Sequence, residues 1–365
     1  MKISVDKSKL ENAVTIASRA VAPKTVKPVL SGILFEINER LNLYSTDLEM
    51  GLKHSVDLDE TNNDKFKFVL DAKLISEVVR SLPEDKIEIS FDGNVVEIRS
   101  GRSIFKLNTM SADEFPEFVP TETGFKIRLS SENVKNMMEK VIFCASTDEY
   151  MRNLNGVFWE FDGPYLRLVA ADGFRLALVE ESIENEETLS FFLSLKSMKE
   201  LQKILDSATD EEFEMIYDGA KVGFKLDDTQ IVIRIVDTEF PDYKKVIPTG
   251  FSTKVTANKV ELREAIRRAA ITARLGDESI KFNIFDNSMH IESKSQDYGE
   301  AHEELEVEKD GQDMMIAFNP KFILEAIQRI ETENVELNFL DPTKPLQINP
   351  PEVLGYLYII MPLRL

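Results

Sequence analysis

The sequence has 365 residues, of which 43% are hydrophobic, and a formal net charge of −21. This length accommodates two or three domains of ordinary size, each able to bury its own core. The apolar runs are too short to span a membrane, and the single cysteine, Cys144, has no partner for an internal disulfide. The chain begins without a signal-peptide core, so we expect a cytoplasmic protein with no membrane contact. On the simplest reading, the negative charge argues against a polyanionic partner.

A weak internal repeat organises the chain. Asp47, Asp172 and Asp297 each end a strand-like stretch, and each lies 125 residues from the next. A period this long, with little identity inside it, indicates duplicated domains rather than a solenoid of short repeats. We therefore predict three similar domains, over residues 1–121, 122–249 and 250–365, joined by connectors that contain proline.

The first third predicts the same series of elements twice, a strand, a helix and three strands. In the first half these are a strand at 2–5, a helix over 10–22 that Pro23 ends, and strands near 32–37, 41–45 and 52–57. In the second half they are a strand at 66–70, a helix over 72–82, and strands near 87–91, 94–99 and 103–109. Asp6 is among the polar residues suited to cap the first helix.

The later thirds follow the same order, with helices predicted over 130–145, 196–206, 258–275 and 320–331. The second helix of each third starts after a residue able to cap it, namely Asp71, Ser194 and Asn319. Tight turns are predicted at the corresponding positions Asp92, Asp218 and Asp341. The fold class is therefore predicted to be α+β, with helices packed on largely antiparallel sheets.

Positive charge is concentrated on the predicted helices, which together carry more Lys and Arg than Asp and Glu. The cations share helix faces, Lys196, Lys199 and Lys203 on one helix and Lys259, Arg263 and Arg267 on another. The second of these faces is predicted to be distinct from the one that carries Leu262, Ile266 and Ile271. For a single stripe, a solvated helix face is the simpler explanation. The shared bias on an acidic chain favours a surface that follows a phosphate backbone without reading sequence.

Signs of catalysis are weak. The three histidines, His54, His290 and His302, lack the spacing of metal ligands, and no Gly-rich phosphate loop or nucleophile elbow is present. We therefore expect no metal and no cofactor. Asp172 could serve as a catalytic aspartate, but its recurrence in different local sequences favours a turn-forming role. Cys144 is interpreted as a small buried hydrophobe, and an enzyme is disfavoured.

Five stretches carry a resemblance to a known family, and they are 45–50, 100–103, 170–176, 240–248 and 356–365. They resemble the bacterial replicative DNA polymerase sliding clamp, the beta subunit, in order along the whole chain. The resemblance implies a DNA-clamp fold of three domains, each built from two βαβββ halves. It also implies a head-to-tail homodimer that forms a ring of six domains around double-stranded DNA, independently of sequence, and has no active site.

The resemblance also implies partners and site residues. The ring would tether the replicative DNA polymerase, and the clamp loader and repair proteins would bind it through short linear motifs, typically a glutamine followed by Leu-Phe. Lys24 and Arg80 would line the hole, and the helix stripes add Lys199, Lys203, Arg263 and Arg267. The dimer contact would include Phe105, Leu107 and Ile271. The partner-peptide pocket would comprise Leu154, Gly173, Phe174, Arg175, Leu176, Pro241, Val246, Asn319, Phe322, Ile359, Ile360, Met361, Pro362, Leu363 and Arg364.

The C-terminal tail supports such a pocket independently, because its apolar residues would fray in water unless something covered them. Two features depart from the family. Many members have histidine where this chain has Phe174, and the loop after Gly276 aligns poorly, so nothing is carried over there. Two alternatives stay open, an acidic scaffold of triplicated domains that binds only proteins and a hydrolase that uses Asp172. Salt-dependent retention on circular DNA would exclude the scaffold, and an unaffected Asp172→Asn variant would weaken the case for a hydrolase.

Overall fold

The computed structural model describes residues 2–59 and 65–364. The chain falls into two compact units. The first comprises Met1–Val134 and Lys199–Ile235, and the second comprises Lys135–Met198 and Val236–Leu365. The middle third therefore contributes to both units. The predicted domain boundaries at 121 and 249 stay a prediction.

The first third contains the two predicted halves. The first is β1 (Lys2–Asp6), α1 (Lys7–Ala17), β2 (Gly32–Ile37), β3 (Leu41–Thr46) and β4 (Met50–Val56). The second is β5 (Phe66–Asp71), α2 (Ala72–Ser81), β6 (Lys86–Phe91), β7 (Val95–Ser100) and β8 (Ser103–Asn108). Most of these strands alternate buried with less buried residues, as expected for sheets that have one face on a core.

The middle third repeats this order. Its first half is β9 (Phe125–Ser130), α3 (Ser131–Val141), β10 (Gly156–Asp162), β11 (Tyr165–Ala171) and β12 (Arg175–Ser182). Its second half is β13 (Thr188–Ser194), α4 (Leu195–Ser207), β14 (Glu212–Tyr217), β15 (Lys221–Leu226) and β16 (Thr229–Arg234). The apolar residues of α4, among them Met198 and Leu201, are buried, which leaves Lys196 and Lys199 exposed.

The last third has the same two halves and one extra strand, β21. Its first half is β17 (Thr253–Asn258), α5 (Lys259–Ala273), β18 (Ile280–Phe285), β19 (Ser288–Ser295), β20 (Gly299–Glu306) and β21 (Glu308–Gly311). Its second half is β22 (Met314–Phe318), α6 (Pro320–Gln328), β23 (Asn334–Phe339), β24 (Leu346–Asn349) and β25 (Tyr356–Ile360). The predicted series of βαβββ halves is thus confirmed.

Each unit contains one large and one small sheet, and every pair of described strands is antiparallel. In the first unit the strand orders are β5-β2-β3-β4-β16-β15-β14-β9 and β1-β6-β7-β8. In the second they are β13-β10-β11-β12-β25-β24-β23-β17-β21 and β20-β19-β18-β22. The large sheets join different repeats, because β4 pairs with β16 in one unit and β12 pairs with β25 in the other. The predicted α+β class is confirmed.

The predicted caps and turns are also confirmed. Asp71 accepts a hydrogen bond from the Leu74 N–H, Ser194 from the Ser197 N–H and Asn319 from the Lys321 N–H. Asp92, Asp218 and Asp341 each accept backbone N–H groups two or three residues onward. These hydrogen bonds join residues close in sequence, which explains why so many helix and strand ends could be predicted from the sequence.

Two sequence predictions about helices are wrong. Helix α1 begins at Lys7, directly after its cap Asp6, and ends at Ala17, well before Pro23. Its last turn tightens into a 3₁₀ turn at Ser18–Ala20, where the Ser18 hydroxyl donates to the Val14 carbonyl. On α5, Ile271 is 58% exposed and faces the same way as Arg267, four residues earlier, instead of lying with Leu262 and Ile266.

Candidate functional site

The C-terminal strand is held against the second repeat by main-chain bonds. Strand β25 pairs with β12, with Ile360 opposite Arg175 and Ile359 opposite Leu176. Beyond the strand, the Met361 N–H donates to the Phe174 carbonyl over 2.9 Å. The Leu363 N–H donates to the Ala317 carbonyl over 2.8 Å. The tail therefore lies between the start of β12 and the end of β22.

The residues predicted for the pocket divide into a buried floor and an exposed rim. Leu176 and Ile359 belong to a buried apolar cluster that also contains Tyr243 of the connector, and Ile360 is buried as well. Phe174, next to Arg175, is 61% exposed. The other exposed members are Pro241, Val246, Met361, Leu363 and Arg364. Leu154, Phe322 and Pro362 are half-buried. An apolar floor with an exposed apolar rim is the usual form of a site for a short peptide.

The Asp172 turn explains how β12 starts. The Asp172 carboxylate accepts hydrogen bonds from the N–H groups of Phe174 and Arg175, both at 3.0 Å. Gly173 between them has φ +90°, a left-handed conformation that glycine adopts without strain. Asp47 makes the same bonds to the N–H groups of Glu49 and Met50. Asp172 is therefore a turn-former, as its recurrence predicted.

Arg175, on β12, contacts three other parts of the second unit. Its guanidinium donates to Asp172 over 3.0 Å, to the Phe143 carbonyl over 2.9 Å, and to Glu325 on α6. The same group lies 4.6 Å from the centre of the Phe322 ring. Its side chain is only 8% exposed, so these bonds form away from bulk water, where charge-assisted bonds are strong.

The sequence predicted Arg175 and Phe322 but missed Phe143 and Glu325. Glu325 lies three residues after Phe322 on α6, so helical spacing alone places both on one face. Phe143 follows α3 in a short 3₁₀ turn and carries no local signal. On the rim, the rings of Phe174 and Phe322 stack with their centroids 6.5 Å apart. Asn319 holds the first turn of α6, which positions Phe322.

The cations predicted to face DNA are exposed apart from Arg263, which is half-buried, and several are paired with carboxylates. Lys203 binds Glu200 at 2.7 Å, and Arg263 and Arg267 share Glu264 at 2.9 and 3.1 Å. Because of the Arg263 hydrogen bond in particular, the pKa of Glu264 is held below its ordinary value. Lys24 and Lys199 are exposed, and Arg80 is exposed near Glu11. The α5 stripe is therefore less positive than its sequence suggests.

Lys259 is not part of the exposed stripe. Its ammonium donates to the Ile330 carbonyl, just beyond α6, over 2.9 Å. Lys7, at the start of α1, likewise donates to the Leu82 carbonyl that follows α2. In both cases a cation at the beginning of one helix satisfies a carbonyl at the end of the next, where the helix dipole is negative.

The residues predicted for the dimer contact lie on two elements. Phe105 is half-buried on β8, and Leu107 is only 8% exposed, so it can contribute little surface. Ile271 lines a cavity of about 400 Å³ between α5 and α6, with Ala270, Leu324 and the stem of Arg267. Within the described residues, β8 is an edge strand of one small sheet and β20 is an edge strand of the other.

The described residues include His, Asp and Glu side chains, which can bind metal ions, and the single cysteine. Among the described residues, 2–59 and 65–364, no group of three or more His, Cys, Asp or Glu side chains is arranged to hold a metal ion. Cys144 is buried, which raises the pKa of its thiol far above the ordinary value and keeps it protonated. In the same part of the chain, no helix is long and apolar enough to cross a membrane.

Comparison with known proteins covers the chain from end to end. Models of the DNA polymerase III beta subunit match in order, the N-terminal domain over residues 1–119, the central domain over 128–242 and the C-terminal domain over 244–364. The beta sliding clamp of Bacillus subtilis is 28% identical over 377 residues, and that of Vibrio cholerae 27% over 368. Both alignments cover 100% of each chain.

Solved structures agree with these matches. The DNA polymerase III beta subunit of Thermotoga maritima is 50% identical, with a TM-score of 0.96 over 100% of this chain and 99% of that one. The sliding clamp of Pseudomonas aeruginosa bound to griselimycin is 26% identical, with a TM-score of 0.94 over 100% of both chains.

Proposed function

This chain belongs to the DNA polymerase III beta subunit family, and we propose that it is a sliding clamp that encircles duplex DNA. The observation that carries the proposal is the match of all three family domains, in order, across the whole chain. As a ring in the cytoplasm it tethers the replicative polymerase, and it also receives the clamp loader and repair proteins. It catalyses no reaction itself.

Exposed helix cations support loose contact with DNA. Arg80, Arg267 and Lys203 are each about half exposed or more, and the last two are partly neutralised by carboxylates. A ring that slides must hold phosphates weakly, so its contacts should be few, exchangeable and sensitive to salt. Lys24, Lys199 and Arg263 belong to the same proposed surface. The acidic remainder of the chain then keeps DNA away from other faces.

Retention on DNA tests this proposal. The loaded protein should remain on a closed circular duplex at a salt concentration that releases it from a linear duplex of the same sequence. The reason is that only a free end lets a closed ring escape without opening. Dissociation would be followed by fluorescence of the labelled protein, with the circle cut by a single restriction site as the matched control. Equal lifetimes on the two substrates would contradict the proposal.

Ring closure needs two chains joined head to tail. The edge strand β8 presents Phe105 and Lys106, with Arg102 in the turn before it. The edge strand β20 is strongly acidic, with exposed Glu300 and Glu304. Antiparallel pairing of β8 with the partner's β20 would satisfy both edges, and Phe105 would face the cavity beside Ile271. Two such contacts close a ring.

The tail site is proposed as the pocket for partner motifs. Its buried floor contains Leu176 and Ile359, and its rim contains Phe174, Val246 and Met361. A peptide with a glutamine and a Leu-Phe pair would lay its apolar side chains on this surface. Fluorescence anisotropy of a labelled peptide of that kind should show binding to the native protein. Deleting residues 361–365 should abolish it while leaving the dimer intact, and unchanged affinity would show that the pocket is elsewhere.

A further inference from the structure

A second cavity lies in the first unit, beside the Asp47 turn. Its volume is about 240 Å³, and its apolar walls include Tyr44, Leu48, Phe118 and Val119. The rings of Tyr44 and Phe118 contact each other with centroids 5.9 Å apart. Leu48 and Val119 are each about half exposed, so the cavity opens to solvent between two apolar side chains.

The internal repeat makes this cavity the counterpart of the tail site. Asp47 and Asp172 form the same turn, 125 residues apart, and Phe118 and Tyr243 of the connectors are separated by the same interval. In the first unit β4 pairs with β16, just as β12 pairs with β25 in the second. The wall that carries the proposed partner pocket is therefore built twice in each chain.

Leu48 is held in a strained conformation at the mouth of the cavity. Its φ is +77°, and the residue that corresponds to it after Asp172 is Gly173, with φ +90°. For a residue with a Cβ atom, such as leucine, a left-handed backbone conformation costs free energy that glycine does not lose. Backbone strain of this kind concentrates at binding sites. The leucine supplies an apolar contact in the cavity lining that glycine could not.

Two cations stand unpaired at the edge of the same cavity. Lys221 on β15 and Arg234 on β16 are opposite each other in the strand register, and both line the cavity. Like charges opposite each other destabilise a sheet. Among the described residues, neither forms an ion pair with a carboxylate, including Glu49 and Glu117 of the cavity lining. A negative group on a ligand would relieve their repulsion.

From these features we infer that the cavity binds an extended peptide segment of a partner protein, with a large apolar side chain followed by an acidic residue. The apolar side chain packs between Leu48 and Phe118, and the carboxylate lies between Lys221 and Arg234. The inference rests on the proposed function, because the partner pocket of the second unit is its structural counterpart. Each chain then offers two docking sites, one in each unit.

The test is calorimetric titration of the full-length protein with the octapeptide Ser-Gln-Leu-Phe-Asp-Asp-Gly-Ser. We expect two binding events per chain. The double variant Lys221→Glu with Arg234→Glu should weaken one event about tenfold or more, because it replaces attraction by repulsion. Lys225→Glu is the matched control, since Lys225 is on the same strand but pairs with Glu214 and lies outside this cavity. Leu48→Gly should weaken the same event without changing any charge.

The outcomes separate this inference from the proposed function. In a protein that lacks residues 361–365, one event should remain, and the double variant should remove it. A single event per chain that disappears with the tail overturns the second site and leaves the tail pocket standing. Two events that survive the deletion, one of them sensitive to the double variant, support the second site and contradict the tail pocket. Equal binding by the native protein and the double variant overturns the inference.

Discussion

At the scale of single residues, Arg175 determines how the tail site is organised. Its buried guanidinium binds Asp172, Glu325 and the Phe143 carbonyl at once, and lies over the Phe322 ring. Only a planar group with several fixed donors can reach partners in these different directions. The residue therefore couples the start of β12 to α6, and through them it sets the positions of the rim side chains.

Arg175→Lys should damage both stability and partner binding. A lysine cannot make all three contacts, so charge-assisted hydrogen bonds to the partly buried Asp172 or Glu325 are lost, at a cost of about 2 kcal/mol in the free energy of unfolding. Urea denaturation would measure that loss, and peptide anisotropy would show weaker binding. Arg128→Lys, at an exposed position on β9, is the control. If both variants match the native protein in both assays, Arg175 does not have this role.

His54 should make the first unit sensitive to mild acid. It is buried on β4, with its Nδ1 2.9 Å from the Thr229 hydroxyl, and burial lowers its pKa below the ordinary 6.5. Asp228, Asp227 and Arg40 act on the same group with smaller effects. Below about pH 6.5 the unfolded chain binds a proton that the folded chain does not. The stabilisation is therefore present above that pH and declines as the pH falls towards the folded pKa.

A variant without the imidazole isolates this effect. Between about pH 7.5 and pH 5.5, the native protein should lose more unfolding free energy than His54→Gln, because only the native chain contains this group. Denaturant titrations at the two pH values give the comparison. His302→Gln removes an exposed histidine and should behave like the native protein. An identical pH dependence for His54→Gln and the native protein would show that His54 does not make stability sensitive to pH.

At the scale of elements, α5 carries both a cationic face and a carboxylate that partly neutralises it. Arg263 and Arg267 both bind Glu264, so one carboxylate offsets two cations that are proposed to meet phosphates. Phosphate must compete with Glu264 for the same guanidinium groups. The helix therefore favours transient over lasting contact, as sliding requires.

Removing that carboxylate should tighten DNA binding. Glu264→Gln frees both arginines, so affinity for a short linear duplex should rise about threefold at low salt, with a steeper dependence on salt concentration. Fluorescence anisotropy at several salt concentrations would measure both. Glu212→Gln makes the same charge change at an exposed position on β14, away from α5. An equal rise in both variants would show that net charge, not the arginine pairing, is responsible.

Elements were predictable from the sequence where local physics determines them. Alternating strands and side-chain caps such as Asp71 and Asn319 act within a few residues, so the β2 and β5 regions were located closely. The end of α1 was missed because apolar spacing continues through the 3₁₀ turn that follows it. The bond from Arg175 to Glu325 spans 150 residues, and no local pattern encodes it. The pocket residues themselves came from family resemblance rather than from periodicity.

At the scale of the whole molecule, retention on DNA depends on closing the ring. A single chain has an acidic edge strand, β20, and the cations Arg102 and Lys106 in and before the edge strand β8. In the ring proposed above, a second chain covers both edges. The tail site lies entirely in the second unit and does not need the partner chain for any of its described contacts. Partner binding and DNA retention should therefore be separable by mutation.

The double variant Phe105→Arg with Ile271→Arg tests this separation. Each arginine places a charge in the proposed apolar contact, and such a charge is costly to bury without a partner, so the variant should be monomeric by light scattering at micromolar concentration. It should bind the Leu-Phe peptide with the affinity of the native protein but should no longer remain on circular DNA. Val260→Arg, also exposed on α5, is the control and should stay a dimer that is retained on circles. A monomeric variant that stays on circular DNA as long as the native protein would show that retention does not come from ring closure.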